Sequence, residues 1–355
     1  MSIGTSIYST ATLLGVMQDP EQMGPPTTYF RDLCFPRTVN FTDEYVDFSR
    51  ISRQRKIAPL VVPTAQGRPI HTMAERLSRV KPAYVKPKDP VTASRLIQRV
   101  AGLGELNTNA NQTPAQRYNA IVADILREHR YAIDRRQEWL ATQAVVEGKV
   151  TLEAEDYPRT IVDFERAAGH DITLTAGNRW GDSGVSILDS VQTMKDLPRN
   201  AQFGGVINRL TLGPKAWEVM RNDPEIEKRL KTDLRSTSGG LDLNLGLRDG
   251  SDVEFMGRLS GTLDVYVHSD YYHDTDTGAV VPFIDSRDAI FTGPSGDGVR
   301  CFGAIQDIDA EMQALEMFPK MWRQQDPSAT FIMTQSAPLM VPVNPNATLR
   351  ARVVA

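Results

Sequence analysis

The chain has 355 residues, 41% of them hydrophobic and 24% charged, with a net charge of −4; that is material for about two globular domains and too mild a charge to name a partner. Two cysteines, Cys34 and Cys301, suit a reducing compartment and exclude a disulfide or zinc framework. No apolar run reaches the ~18 residues of a membrane span, and MSIGTSIYSTATLLG lacks the parts of a secretory leader, so synthesis in the cytoplasm is expected.

Residues 1–48 read as an arm. Ser9 to Gln18 makes a short helix with Leu13, Leu14 and Met17 on one face, and Gly24-Pro25-Pro26 breaks it. Tyr29, Phe30, Leu33, Cys34 and Phe35 form an apolar cluster closed by Pro36, and a strand-like stretch follows through Phe41, Val46 and Phe48.

Residues 49–104 form an extended loop. Prolines at 59, 63, 69, 82, 87 and 90 exclude a long helix. IAPLVVP and AYVKPKDPV read as the two limbs of a long hairpin. A stretch of this length without its own core is expected to lie against another chain. It is also where the charge is concentrated. Arg50 to Val100 carries twelve Lys/Arg against Glu75 and Asp89, a local +10 that leaves −14 for the rest of the chain. Nucleic acid is one partner for such a block. Only Tyr84 offers an aromatic for stacking, however, and pairing with acidic surfaces of neighbouring copies is the simpler account.

A helix over 114–147 is the strongest local signal. Thr113 suits the N-cap, Pro114 the first helical position and Gln116 a capping box. Apolar residues recur at helical spacing from Tyr118 to Ala144, with Gly148 as the stop. Such a helix would be about 50 Å long and act as a strut. Arg130 and Asp134 are four apart and are assigned to its solvated side, whereas His129 falls on the apolar stripe as a packed histidine. A hairpin follows at 150–164, turning at Asp156-Tyr157-Pro158. From about 185 to 300 the pattern is mixed α/β. Helices are predicted near 188–196 and 214–231, a Gly-rich loop at 236–252, and strands at Gly261 to Val267 and Ala279 to Ile284. FIMTQSAPLMVPV ends the chain as an edge or bulged strand, interrupted by Pro338 and Pro342.

Enzymatic chemistry is sparse. HSDYYHDTDTG holds His268, Asp270, His273, Asp274 and Asp276, a density that suits a divalent metal. The spacing matches no ligand pattern, though, and Thr277-Gly278 between two alternating stretches is hairpin chemistry, which is the preferred reading. GPSGDG (293–298) lacks the Lys-Ser/Thr ending of a phosphate loop and precedes the strand-like VRCFGAI. No nucleophile, base and oxyanion site converge, so no catalytic residue, cofactor or metal ligand is assigned.

The order of blocks carries a resemblance. CFGAIQDIDA (301–310), PKMW (319–322), DP (326–327) and QSAPLM (335–340), with AYVKPKDPV (83–91) and YSTATLLG (8–15), closely resemble the lambda-type phage major capsid protein family. The likeness runs in order over nearly the whole chain, and is weakest from about 165 to 290. The PKMW-to-DP spacing is one residue shorter than the lambda-type pattern.

That resemblance implies an α+β fold of the Hong Kong 97 type. Its parts would be an N-terminal arm (1–48), an E-loop (49–104), a P-domain with a spine helix and hairpin (105–170), an A-domain (171–300) and a C-terminal return to the P-domain (301–355). It also implies a shell subunit that meets its own copies in hexamers and pentamers. Contacts would come from Leu13, Leu14, Tyr29 and Phe30 of the arm and from Ile57, Leu60, Val61, Val62, Tyr84, Val85, Lys86 and Lys88 of the E-loop. Further implied partners are a trimeric decoration protein, portal and scaffold proteins during assembly, and packaged double-stranded DNA on the inner face, with no membrane. The chain would reside in the virion after assembly in the host cytoplasm. Clamping by the decoration protein is favoured over covalent cross-linking of Lys81, Lys86 or Lys88 to Asn344 or Asn346. An encapsulin-like compartment shell and a metal-dependent enzyme using His268–Asp276 are the competing readings.

Overall fold

The longest element of the computed structural model is the helix Pro114–Val146. The structure describes residues 7–18, 28–51, 75–92, 114–154, 157–202, 204–226, 252–274, 277–311, 315–326 and 328–355. The helix ends one residue before the predicted boundary, for two reasons at Gly148. That residue is left-handed (φ +70), and a Cβ there would come within 2.8 Å of the Arg166 side chain. Arg166 in turn donates to the carbonyls of Val145 and Val146, each at 2.7 Å, and so satisfies the helix end.

The helix is buried along its length by different partners. Near its start, Tyr118, Val122 and Ile125 meet Leu13, Met17 and Ile332. Near its end, Leu140, Ala144 and Val145 meet Phe30, Phe164 and Leu339. Its polar side is covered too. Asp134 is 4% exposed and Glu138 1% exposed, so the assignment of Arg130 and Asp134 to a solvated side is corrected: the arm lies across that face. His129 is buried, bridging Asp89 (3.0 Å) and Thr334 (3.1 Å).

Two three-stranded sheets accompany the helix. One orders Phe318–Gln324, Ala329–Gln335 and Lys88–Thr92, all antiparallel. The other orders Arg37–Asn40, Val299–Phe302 and Pro338–Val341. The expected C-terminal strand is therefore two strands in two sheets: Ala329–Gln335 is central in its sheet, and Pro338–Val341 is at an edge. AYVKPKDPV likewise pairs with a distant strand, and its expected partner limb IAPLVVP lies outside the described residues. Val85 bridges to Ser336, and Lys88–Thr92 joins Ala329–Gln335, because Val91 has an apolar site to fill beside Met321 and Ile332. The observed hairpin at the loop's base pairs Val46–Ile51 with Glu75–Val80. A separate hairpin joins Lys149–Ala154 to Tyr157–Asp163.

The second body of the chain is a six-stranded sheet in the order Asp171–Thr173, Leu349–Arg352, Asp288–Thr292, Arg209–Leu212, Leu263–His268, Val253–Leu259. Helices Ile187–Asn200 and Pro214–Arg221 bury Val191, Met194, Ala216 and Met220 in the same core as Leu210 and Phe291. The second helix breaks at 222–223 instead of running straight on to the predicted 231; residues 224–226 are helical again, and 227–231 lie outside the described residues. Asp223 precedes Pro224 and accepts from the amides of Glu225 (2.8 Å) and Ile226 (3.2 Å), which restarts the chain rather than continuing it. The final strand, Leu349–Arg352, lies in this sheet between Asp288–Thr292 and Asp171–Thr173. The Gly-rich stretch up to residue 251 lies outside the described residues.

Candidate functional site

The candidate site is the set of surfaces that could join copies of this chain. The arm is the first of these. Its helix Thr10–Gln18 buries Leu13 and Met17 against the long helix, leaving Leu14 half-buried. Tyr8 donates its hydroxyl proton to Asn119 (2.5 Å), and Arg130 donates to the Met17 carbonyl. The second arm helix, Phe30–Cys34, sits on the far half of the same long helix. Its first two amides, Phe30 (2.8 Å) and Arg31 (3.0 Å), donate to the two oxygens of Glu138. The long helix thus supplies the cap that this short helix lacks in its own sequence. One turn earlier, Asp134 accepts from the Arg31 guanidinium at 2.5 Å, and Gln137 accepts from it at 3.2 Å.

Arg130, Asp134 and Glu138 therefore form a ladder at four-residue spacing that holds the arm. Burial raises the Glu138 pKa to about 7, against its bonds to the Arg31, Phe30 and Tyr29 backbone. Asp134 is also raised by burial, with Arg31 opposing. Sequence reading missed Arg31 and Glu138, and it placed Asp134 in solvent. Their signal was a charged stripe on a helix, which is the same whether water or another polar segment covers it.

Of the predicted arm contacts, Leu13 and Phe30 are 1% and 0% exposed and are covered by this chain itself. Tyr29 is half-buried, with its hydroxyl 3.0 Å from that of Thr211. Among the predicted E-loop contacts, Ile57, Leu60, Val61 and Val62 lie outside the described residues. Tyr84 donates to the Ala304 carbonyl (2.6 Å) and accepts from the Gln306 amide (2.5 Å). Val85 is in its bridge to Ser336. Lys86 lies 4.8 Å over the Tyr84 ring, and Lys88 lies over Trp322 (5.2 Å) and Phe331 (4.3 Å). Lys81 pairs with Glu44, and Arg79 holds Asp47 with two bonds of 2.7 Å.

After His268, Tyr271–His273 pairs antiparallel with Val280–Pro282, and the Gly278 amide donates back to the Asp274 carbonyl (2.8 Å). His268 turns inward between the rings of Tyr29 (5.6 Å) and Phe30 (5.7 Å), where burial lowers its pKa to about 4. Asp270 accepts from Arg135 (3.1 Å) and from the Tyr271 amide (2.8 Å). Asp276 lies outside the described residues, and among those described no three acids, histidines or cysteines gather as metal ligands. The carboxamide of Asn346 bonds at both ends to this chain, accepting from Ala167 (2.7 Å) and donating to Gln202 (2.6 Å). That of Asn344 donates to Ser295 (2.7 Å).

Comparison with known proteins gives a consistent result. The sequence pattern described as phage major capsid protein E matches residues 9–353. The chain is 29% identical over 346 residues to the major capsid protein of Escherichia phage lambda, covering 96% of this chain and 97% of that one. It is 30% identical over 345 residues to the major capsid protein of Enterobacteria phage P21, with coverage of 96% and 97%. Among solved structures, a prophage protein of Escherichia coli CFT073 described as a capsid protein superposes with a TM-score of 0.75 at 22% identity, over 99% of this chain and 100% of that one. A subunit from the mature capsid of bacteriophage PhiM1 gives 0.51 at 9% identity, over 92% and 86%. These structures share the fold.

Proposed function

The chain belongs to the phage major capsid protein E family, and from that membership we propose how its parts join in a shell. It is a structural subunit of a phage head and not an enzyme, and it is a component of the virion. Copies of this chain assemble into the shell. The finer account is as follows. The six-stranded body forms the A-domain around the hexamer and pentamer axes, and the long helix with its flanking sheets forms the P-domain. The E-loop reaches across a neighbouring copy. Many weak contacts, each repeated around a closed shell, sum to a stable particle. One observation carries this reading: a match in unbroken order from residue 9 to residue 353, spanning arm, loop, long helix and final strand alike.

Assembly takes place in the host cytoplasm with portal and scaffold proteins, and the finished shell holds double-stranded DNA on its inner face. A trimeric decoration protein clamps the arm and E-loop from outside. The bonded state of the Asn344 and Asn346 carboxamides supports the clamp over lysine cross-links, since an isopeptide bond needs an accessible amide. The purified chain is expected to form capsomers or closed shells visible by electron microscopy. A compact monomer under every assembly condition, by light scattering and microscopy, would refute the reading.

The lysine contacts divide into two tests. Lys88 stacks on two rings of its own subunit, so Lys88→Ala is expected to lower subunit stability by about 0.5–1 kcal/mol. Lys86 is exposed over Tyr84 alone, and Lys86→Ala is expected to leave the subunit's unfolding midpoint in place while lowering shell yield and salt tolerance. Unchanged yield and salt tolerance in Lys86→Ala would remove that lysine from the intersubunit contacts.

A further inference from the structure

Ile308 is the most exposed large apolar side chain among the described residues, at 91%, against 57% for the next, Ile7 and Val280. It stands at the tip of a single 3-10 turn, Ile308–Ala310. Looseness does not explain its position. Asp307 caps the turn by accepting from the Asp309 amide (3.0 Å), and it also accepts from Lys320 (3.1 Å) and Gln335 (2.6 Å). Lys320 reaches Asp309 as well, at 2.5 Å. On the inner side of the turn, Ala310 is buried with Ile305 and Phe318. The turn is therefore fixed from below, and its outward apolar group is held ready rather than collapsed. A preordered apolar group loses little entropy when a partner covers it.

Its surroundings say what kind of partner fits. Asp309 and Glu311 flank Ile308 and face solvent, so the knob has an acidic collar. Directly beside it runs a basic limb of the same chain. Tyr84 is tied to Ala304 and Gln306, immediately before the turn, and Lys86 and Lys88 project from that limb with exposed side chains. Acidic knob and basic limb lie side by side on one subunit, so two copies can satisfy each other by exchanging them. This is the self-complementary arrangement of a two-fold contact between copies.

We propose that Ile308 with its acidic collar is an intersubunit contact, and that its occupant is the basic limb Tyr84–Lys88 of a second copy. The inference rests on the shell-subunit reading above. The burden of the contact is apolar, with the charges setting its register.

The test compares shell assembly by the full chain with that of Ile308→Asp, Glu311→Lys, Lys86→Glu and the pair Glu311→Lys/Lys86→Glu, alongside thermal unfolding of each unassembled subunit. Ile308→Asp is expected to cut shell yield at least about tenfold at limiting subunit concentration without moving the unfolding midpoint. Each single charge reversal should lower yield, and the double reversal should recover it. Wild-type yield from Ile308→Asp overturns the proposal. So does a loss in Ile308→Asp without charge-swap recovery, which assigns the knob to a different occupant such as a decoration protein. Failure of the unmodified chain to assemble overturns the shell reading itself, and is distinguished by that control.

Discussion

Asp288→Ala is expected to destabilise the unassembled subunit by about 1.5–3 kcal/mol, the cost of removing a buried carboxylate that accepts charged hydrogen bonds from two half-buried guanidinium groups. Asp288 lies on a central strand of the six-stranded sheet with its side chain 1% exposed. One oxygen accepts from Arg350 (2.8 Å) and the other from Arg352 (3.0 Å). Arg350 and Arg352 are two apart on the final strand and so project to the same face. Arg352 continues to Asp285 at 2.9 Å, and Asp285 is held by Arg287. One carboxylate therefore ties the C-terminal strand into a sheet whose other strands begin more than 50 residues earlier. Truncation leaves two guanidinium groups facing each other with only Asp285 and Asp171 nearby. Denaturant unfolding of the subunit below its assembly concentration measures the loss. A change under ~1 kcal/mol would show that the arginines find water instead.

This network bears on assembly through order of folding. The strand Leu349–Arg352 cannot pair until the strands at 171–173 and 288–292 exist, so the six-stranded body completes only when that strand arrives. Contacts this distant in sequence form slowly. A subunit lacking the tie would retain most of its sheet yet expose the edges flanking Leu349–Arg352, which invites strand exchange between copies rather than ordered closure.

What the sequence disclosed follows from which signals are local. The long helix is found to within one residue because its apolar spacing, its first-turn proline and Gly148 all lie within the segment itself. The hairpins at 149–163 and 271–282 are legible for the same reason, since alternation and turn residues are adjacent. The failures involve distant partners. Nothing within AYVKPKDPV shows that Lys88–Thr92 pairs with a strand some 240 residues later. Nothing within LRAR shows that it belongs beside Asp288. The polar face of the long helix is the most instructive case. Periodicity separates apolar from polar, and polar was equated with wet. Here a polar face is covered by a segment whose own backbone needs acceptors, so carboxylates are buried without breaking any rule of pairing. The shell function was legible from blocks in order, whereas the knob at Ile308 sits inside one of those blocks, where an isoleucine in QDIDA reads as ordinary core.

The arm's attachment is expected to depend on pH, with Glu138 as the group responsible. When the arm is docked, burial holds the Glu138 pKa at about 7; when it is released, water returns and the pKa falls towards the ordinary ~4.3 of a glutamate. The docked state thus binds the proton more tightly. Its stabilisation is full below about pH 4.5 and is lost as pH rises through about 7, a difference on the order of 3 kcal/mol. Asp134, also raised by burial, adds in the same direction, while Arg31 stays charged throughout. Carboxylates such as Asp285 and Asp307 are lowered by hydrogen bonds and lose their stabilisation as pH falls, so a whole-protein melting curve mixes opposite slopes. A local measurement separates them. Hydrogen-exchange protection of the Phe30 and Arg31 amides, corrected for intrinsic rate, should be greater at pH 5.5 than at pH 8 in the wild-type subunit. Glu138→Gln carries no ionisable proton and should flatten that dependence while lowering protection at acidic pH, because its NH2 faces amide donors. Glu138→Ala leaves both amides without an acceptor and should release the arm at either pH, at a cost of about 2–5 kcal/mol. Protection that rises with pH in the wild type, or a Glu138→Gln subunit that keeps the full wild-type slope, would show that the latch is governed by another group.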